Sequence, residues 1–91
     1  MPKAVASPDE IRKFAHILLQ HVNRLRDMRA DISARFNDLH EYWKDQKYER
    51  FQDIFRHTMN HLDIFLQQAE AYVQYLHRKA ERLEEYLRHR Y

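Results

Sequence analysis

Three residues with metal-binding chemistry follow one another at helical spacing in the second half of the chain. Asp53, His57 and His61 are four residues apart, so on a helix they share one face. A carboxylate and two imidazoles are ligands that zinc accepts. These positions continue a polar line of the sequence, however, and no second segment offers a matching Glu-x-x-His pair. The pattern therefore favours a solvated helix face, with no metal and no cofactor expected, and these three residues are the weak metal candidates.

Catalytic chemistry has little support in the residue types. The chain has no cysteine, and its serines are Ser7 and Ser33, neither of which lies in a pattern that would present a nucleophile. It also has no glycine, so the usual phosphate-cradling loops are excluded. We therefore expect a protein that is not an enzyme and has no catalytic residues.

The charges are nearly balanced and mixed along the sequence. The chain has 16 Lys and Arg residues and 14 Asp and Glu residues, for a net charge of +2 at pH 7. A locally basic group occurs only near the C-terminus, where three glutamates dilute it. Its members are Arg78, Lys79, Arg82, Arg88, His89 and Arg90. This distribution indicates solvated helix faces, and no nucleic-acid partner is expected; a helical nucleic-acid or metal binder is the least favoured alternative.

The elements that would position these residues are helices. A chain without glycine has few residues suited to tight turns, and its interior is rich in Leu, Ala, Gln, Glu, Lys and Arg, which favour helix. Ser7, Pro8 and Glu10 make a helix start, with a capping serine, proline at the first helical position and an acidic residue three after the cap. Apolar residues then recur every seven positions, at Ile11, Leu18, Leu25, Ile32 and Leu39. This spacing predicts a first helix over about 8–43.

The apolar pattern changes phase near Trp43, the only tryptophan. In the second half, the apolar residues that recur every seven positions are Tyr48, Phe55, Leu62, Ala69, Leu76 and Leu83. From Leu39 to Tyr48 is nine residues, two more than a heptad, or about 200° of helix rotation. One straight helix would carry its two apolar stripes on nearly opposite faces. The sequence therefore predicts a single all-α domain over 1–91, an antiparallel two-helix hairpin with a turn at about 43–46 and a second helix over about 46–89.

Two helices alone cannot cover the apolar residues of the second half. Phe51, Phe65 and Tyr72 flank its apolar line on one side, and further apolar residues from Met59 to Leu87 flank it on the other. We therefore expect an elongated four-helix bundle, either a homodimer or a heterodimer with a related hairpin. The residues predicted for this core and dimer seam are Ile11, Leu18, Leu25, Ile32, Leu39, Phe55, Leu62, Phe65, Leu66, Leu76 and Leu83.

The predicted turn carries a resemblance to a known family. A long amphipathic helix, a turn at Trp43-Lys44-Asp45 and a second long helix with an early aromatic, Phe51, resemble the WXG family of helical hairpins in type VII secretion. Trp43 matches the family's tryptophan, and Asp45 occupies the position of its glycine. The resemblance implies a hairpin that acts through protein–protein association, as a secretion substrate or its escort, with a secretion component as a further partner.

The sequence leaves the location and role of the chain open between two alternatives. The family's export motif, Tyr-x-x-x-Asp/Glu, is not matched after the second helix, so an exported form would take it from a partner. No apolar run reaches the roughly 20 residues of a membrane span, and residues 1–6 lack the apolar region of a signal peptide. We expect synthesis in the cytoplasm and, if export occurs, a leaderless route. The alternative is a cytoplasmic dimeric coiled-coil adaptor with no secretion role.

Overall fold

The protein is a hairpin of two long α-helices. A computed structural model describes residues 7–89, and in it α1 spans Pro8–Leu39 and α2 spans Gln46–Arg88. The helices lie side by side in opposite directions and form a rod of 70 × 21 × 17 Å. This confirms the all-α antiparallel hairpin that the phase change predicts. The N-terminal segment relevant to a signal peptide and the Arg90 end of the basic group lie outside the described residues.

The first helix begins where the sequence predicts. Ser7 is its N-cap, and the Ser7 hydroxyl accepts a hydrogen bond from the Glu10 backbone N–H at 3.4 Å. Pro8 takes the first helical position, where its missing N–H leaves no bond unmade. Asp9 and Glu10 place negative charge against the positive end of the helix dipole.

The end of α1 lies four residues before the predicted one. The backbone N–H groups of His40, Glu41 and Tyr42 bond to carbonyls three residues earlier, at 3.3, 3.2 and 2.9 Å. Bonds of this tighter type commonly end an α-helix, and the chain leaves the helix after them. Because no residue in the described range 7–89 has a positive φ, this turn is made without the conformation that favours glycine.

The buried core is a narrow strip of apolar side chains between the helices. Its members are Ala15, Val22 and Phe36 from α1, and Tyr48, Leu66, Val73 and Ala80 from α2. Ala15 follows Ile11 by four residues, which is about 40° further round the helix. The predicted heptad line of α1 therefore runs along the edge of the contact between the helices and not through its centre. On α2 the centre is likewise the neighbouring line through Leu66 and Val73.

Candidate protein-interaction face

Large apolar side chains remain exposed along both helices, and most of them lie on one side of the rod. We call this side the open face. Ile17 and Ile54 lie at its edges. Its central members are Phe14, Met28, Ile32 and Leu39 of α1, and Phe51, Phe65, Tyr72 and Tyr86 of α2. The four α2 aromatics are separated by multiples of seven residues, as the inward positions of a helical bundle are.

Helix geometry places these residues on the open face. On α1, Phe14 precedes the buried Ala15 by one residue, and this is about 100° to one side of the core line. On α2, Phe65 precedes the buried Leu66 by one residue and has the same offset. Because α2 runs in the opposite direction and faces α1, equal offsets from the two core lines project to the same side of the rod. Phe14 and Phe65 therefore lie on one common surface.

Within residues 7–89, three ion pairs join the two helices on the other side of the rod, which we call the ion-pair side. Arg12 bonds to both carboxylate oxygens of Glu84, at 3.2 and 2.8 Å. Arg26 Nη2 donates to Glu70 Oε1 at 2.7 Å. Arg26 follows the buried Val22 by four residues, and Glu70 follows the buried Leu66 by four. Each therefore lies about 40° from the core line of its helix, in the direction away from the open face. The ion pairs therefore show, independently of the apolar residues, that these offsets on α1 and α2 point to the same side of the rod.

The third pair lies closer to the contact between the helices. Arg29 Nε and Nη2 donate to the two oxygens of Asp63 at 2.9 and 3.0 Å, and Arg29 Nη1 donates to Ser33 Oγ at 3.3 Å. In all three pairs α1 provides the arginine and α2 the carboxylate. A two-pronged arginine–carboxylate contact has a defined geometry, so these pairs specify how far one helix is shifted along the other.

The ion-pair side can be identified in the sequence from the spacing of its charged residues. Asp63, Glu70 and Glu84 are separated by multiples of seven, and so are Arg12 and Arg26. Because charges of both signs are mixed along the sequence, this shared spacing is not evident from the overall charge distribution. Opposite charges at heptad positions beside an apolar line are the usual arrangement between neighbouring helices of a bundle.

Acid should weaken the hairpin through Glu84. The hydrogen bond from Arg12 holds the pKa of the Glu84 carboxyl below its ordinary value of 4.5. Because the folded pKa is lower than the unfolded one, the stabilisation is present above pH 4.5 and is lost as the pH falls through the folded pKa. We expect wild type to melt above Glu84→Gln at pH 7, and the two melting temperatures to converge below pH 4.5. Circular dichroism melts at one protein concentration measure this, and a difference that does not change with pH would contradict it.

The turn between the helices is organised by Asp45. Its backbone is extended, with φ −105° and ψ −177°, and it is the N-cap of α2. One carboxylate oxygen, Oδ1, accepts the Tyr48 backbone N–H at 3.0 Å and the Trp43 indole Nε1–H at 2.8 Å. A single side chain therefore caps a 43-residue helix and holds the indole against the start of that helix.

Aromatic rings fill the turn end of the rod. Phe36 stacks on Phe55 with ring centroids 4.3 Å apart and on Tyr48 at 5.4 Å. The half-buried Trp43 ring contacts Tyr48 edge-on at 5.4 Å and stacks on Phe51 at 6.0 Å. The three predicted turn residues thus come together, because Trp43 bonds to Asp45 and packs on Phe51.

No protein-family model matches the chain, and no curated protein matches it significantly. The resemblance to the WXG family, which depends on Trp43 and the hairpin layout, therefore stays a prediction. Within residues 7–89, neither helix has a stretch both long and apolar enough to cross a membrane.

The predicted seam residues lie at three levels of exposure. Leu66 is buried at the centre of the contact between the helices. Ile32, Leu39 and Phe65 are exposed on the open face. The other seven are half-buried along the border between the core and the open face: Ile11, Leu18, Leu25, Phe55, Leu62, Leu76 and Leu83. The seam therefore borders the open face along most of its length.

The metal candidates lie on the exposed surface of α2. Asp53, His57 and His61 are all exposed, and Asp53 lies 3.9 Å from the Arg56 guanidinium. Within residues 7–89, the structure assembles no group of three His, Cys, Asp or Glu side chains that could hold a metal ion. Their helical spacing places them on a solvated surface without bringing in ligands from α1.

Proposed function

We propose that this chain acts without catalysis, by packing its open face against another helical chain, as a WXG-type secretion substrate or as the escort of one. The observation that carries the proposal is the open face itself. Its apolar residues extend from Phe14 and Tyr86 at one end of the rod to Leu39 and Phe51 at the other. A surface of this kind is suited to a partner that is itself long and helical.

Energetics favour a covered open face. The exposed apolar side chains of the open face are spread along a rod 70 Å long, and soluble monomers rarely leave large apolar patches exposed. Each Å² of apolar surface removed from water contributes about 25 cal/mol. Phe65 is 56% exposed and Met28 is 58% exposed, so both have substantial apolar surface for a partner to bury.

The turn supports the WXG part of the proposal. Asp45 is extended and caps α2, so a Trp-x-Asp sequence makes this connection without a glycine. Tyr72, Tyr75 and Tyr86 are not followed four residues later by Asp or Glu, so none of them starts the family's export motif, and we assign the escort role first. In that role a partner with its own export motif binds the open face, and the pair is secreted together.

An export assay in the native host tests the secretion role. We expect a tagged chain in the culture medium when a type VII secretion ATPase is intact, and only inside the cell when the ATPase gene is deleted. A cytoplasmic protein measured in the same fractions controls for lysis. Retention of a stably expressed chain in both strains would reject the secretion role. The cytoplasmic adaptor would then be the better account of the open face.

A further inference from the structure

We infer that the side of α2 turned away from α1 binds an acidic helical segment of a protein partner. This side is separate from the open face, so such a partner is additional to the one in the proposed function. It consists of the positions that follow the core line through Leu66 and Val73 by two or five residues, from Lys47 to Arg82. These positions lie about 140–200° round the helix from the contact with α1, and we call them the outer face.

The cations of the outer face lie at its two ends. Lys47 and Arg50 are at the turn end of the rod, and Arg78 and Arg82 are near the other end. All four side chains are exposed, and none of them forms an ion pair within residues 7–89. The outer face is therefore cationic without compensation from the hairpin itself.

The acidic residues of α2 lie in a different direction from these cations. From Gln46 to Glu84, every Asp and Glu follows the core line by one or four residues, which places it toward the ion-pair side. Three of these carboxylates bond to arginines of α1, as Glu70 does to Arg26. Glu85 is the first acidic residue at an outward position, and it lies beyond the end of the outer face. Charges that alternate along the sequence are thus sorted by direction around the folded helix.

Between its cationic ends the outer face carries apolar side chains and no lysine or arginine. Arg50 and Arg78 are 28 residues apart, which is about 42 Å along the helix. Ile54, Ile64 and Tyr75 lie in this stretch at intervals of 10 and 11 residues, or about three helical turns. They therefore project in nearly the same direction, and all three are exposed.

This distribution favours an acidic protein helix over a nucleic acid. Duplex DNA carries a negative charge about every 1.7 Å, so DNA along this face would hold phosphates against a long stretch without lysine or arginine. An amphipathic helix with acidic residues near both ends and an apolar stripe between them is complementary in charge and length. Near one end, Tyr75, Lys79 and Arg82 line a groove together with Leu83, where two cations and a phenol hydroxyl can bond to a carboxylate.

Two pairs of arginines on α2 provide a matched test. Arg50 and Arg82 lie on the outer face, whereas Arg56 and Arg88, each six residues later, lie toward the ion-pair side. All four are exposed. Arg50→Glu/Arg82→Glu and Arg56→Glu/Arg88→Glu therefore change the net charge equally and differ in the direction of that change. The probe is a labelled, alanine-rich helical peptide of about 36 residues with glutamates near both ends, long enough to span Arg50 to Arg82.

We expect the wild-type chain to bind this peptide, with an affinity that falls as salt is added because exposed charges are screened. Arg50→Glu/Arg82→Glu should weaken binding about tenfold or more, and Arg56→Glu/Arg88→Glu less than about threefold. Fluorescence anisotropy measures the binding, and circular dichroism confirms that both variants stay helical. If a variant unfolds, amide shifts in nuclear magnetic resonance spectra of the wild-type chain identify the surface that contacts the peptide. Shifts concentrated on the outer face support the inference, and shifts elsewhere overturn it.

Two results of the binding measurements would also overturn the inference. One is a wild-type chain that does not bind the peptide, and the other is equal weakening in the two double variants. A DNA duplex of similar length is the second probe. Tighter binding of the duplex than of the peptide, lost in Arg50→Glu/Arg82→Glu, would assign the outer face to nucleic acid and overturn the protein partner. None of these outcomes depends on export of the chain, so the proposed function stands or falls separately.

Discussion

Replacing Phe36 with alanine is expected to lower the free energy of unfolding by about 3–5 kcal/mol. Phe36 is 8% exposed, and its ring contacts Tyr48, Phe51 and Phe55 at the turn end of the rod. Truncation leaves a cavity between two helices that meet only along a narrow line, and few neighbouring side chains can move to fill it. Urea unfolding followed by circular dichroism measures the loss, with protein concentration fixed because association adds to stability.

Ile64→Ala is the control for Phe36→Ala. Ile64 lies on α2 outside both the core and the open face, so we expect a change below about 1 kcal/mol. If Phe36→Ala proved as mild as Ile64→Ala, the aromatic contacts at the turn would not hold the helices together. The packing described for this end of the rod would then be wrong.

Replacing Asp45 with alanine is expected to destabilise the protein by about 2–3 kcal/mol, because one change removes two hydrogen bonds. Loss of an N-cap costs about 0.5–2 kcal/mol, and a hydrogen bond to a charged acceptor contributes about 1.5–3 kcal/mol. The cap bond comes from the Tyr48 N–H and the second bond from the Trp43 indole. Unfolding in urea gives the stability change, and a red shift of the emission of Trp43, the single tryptophan, reports its release into water.

Two further substitutions at Asp45 separate these contributions. Asp45→Asn keeps an acceptor oxygen for both donors, so we expect a cost below about 1 kcal/mol and little spectral change. Asp45→Gly introduces the glycine of the WXG motif. Glycine retains most of the capping preference but has no side-chain acceptor for the indole N–H. It should therefore shift the Trp43 emission as alanine does, with a smaller loss of stability. An unshifted spectrum for both glycine and alanine would mean that Asp45 does not hold the ring.

Much of the architecture follows from residue spacing. The nine residues from Leu39 to Tyr48 put the two apolar stripes on opposite faces of any single helix, so the chain must reverse near Trp43. The Ser7 cap and the Asp45 cap are local interactions between residues three apart, and local interactions of this kind can be predicted from sequence. The end of α1 could not be predicted from sequence, because the tighter hydrogen bonds after Leu39 depend on how the turn packs against α2.

The sequence by itself determined that two heptad-patterned helices form a hairpin closed at Trp43, because helical periodicity and capping are local properties. The tertiary structure alone decided which line of each helix is buried. Pairing α1 with α2 placed the Ala15 and Leu66 lines in the close contact between the helices and joined Arg26 to Glu70 on one side. The same pairing places both Phe14 and Phe65 on the open face. The open face is therefore a consequence of packing between helices, which no single helix specifies.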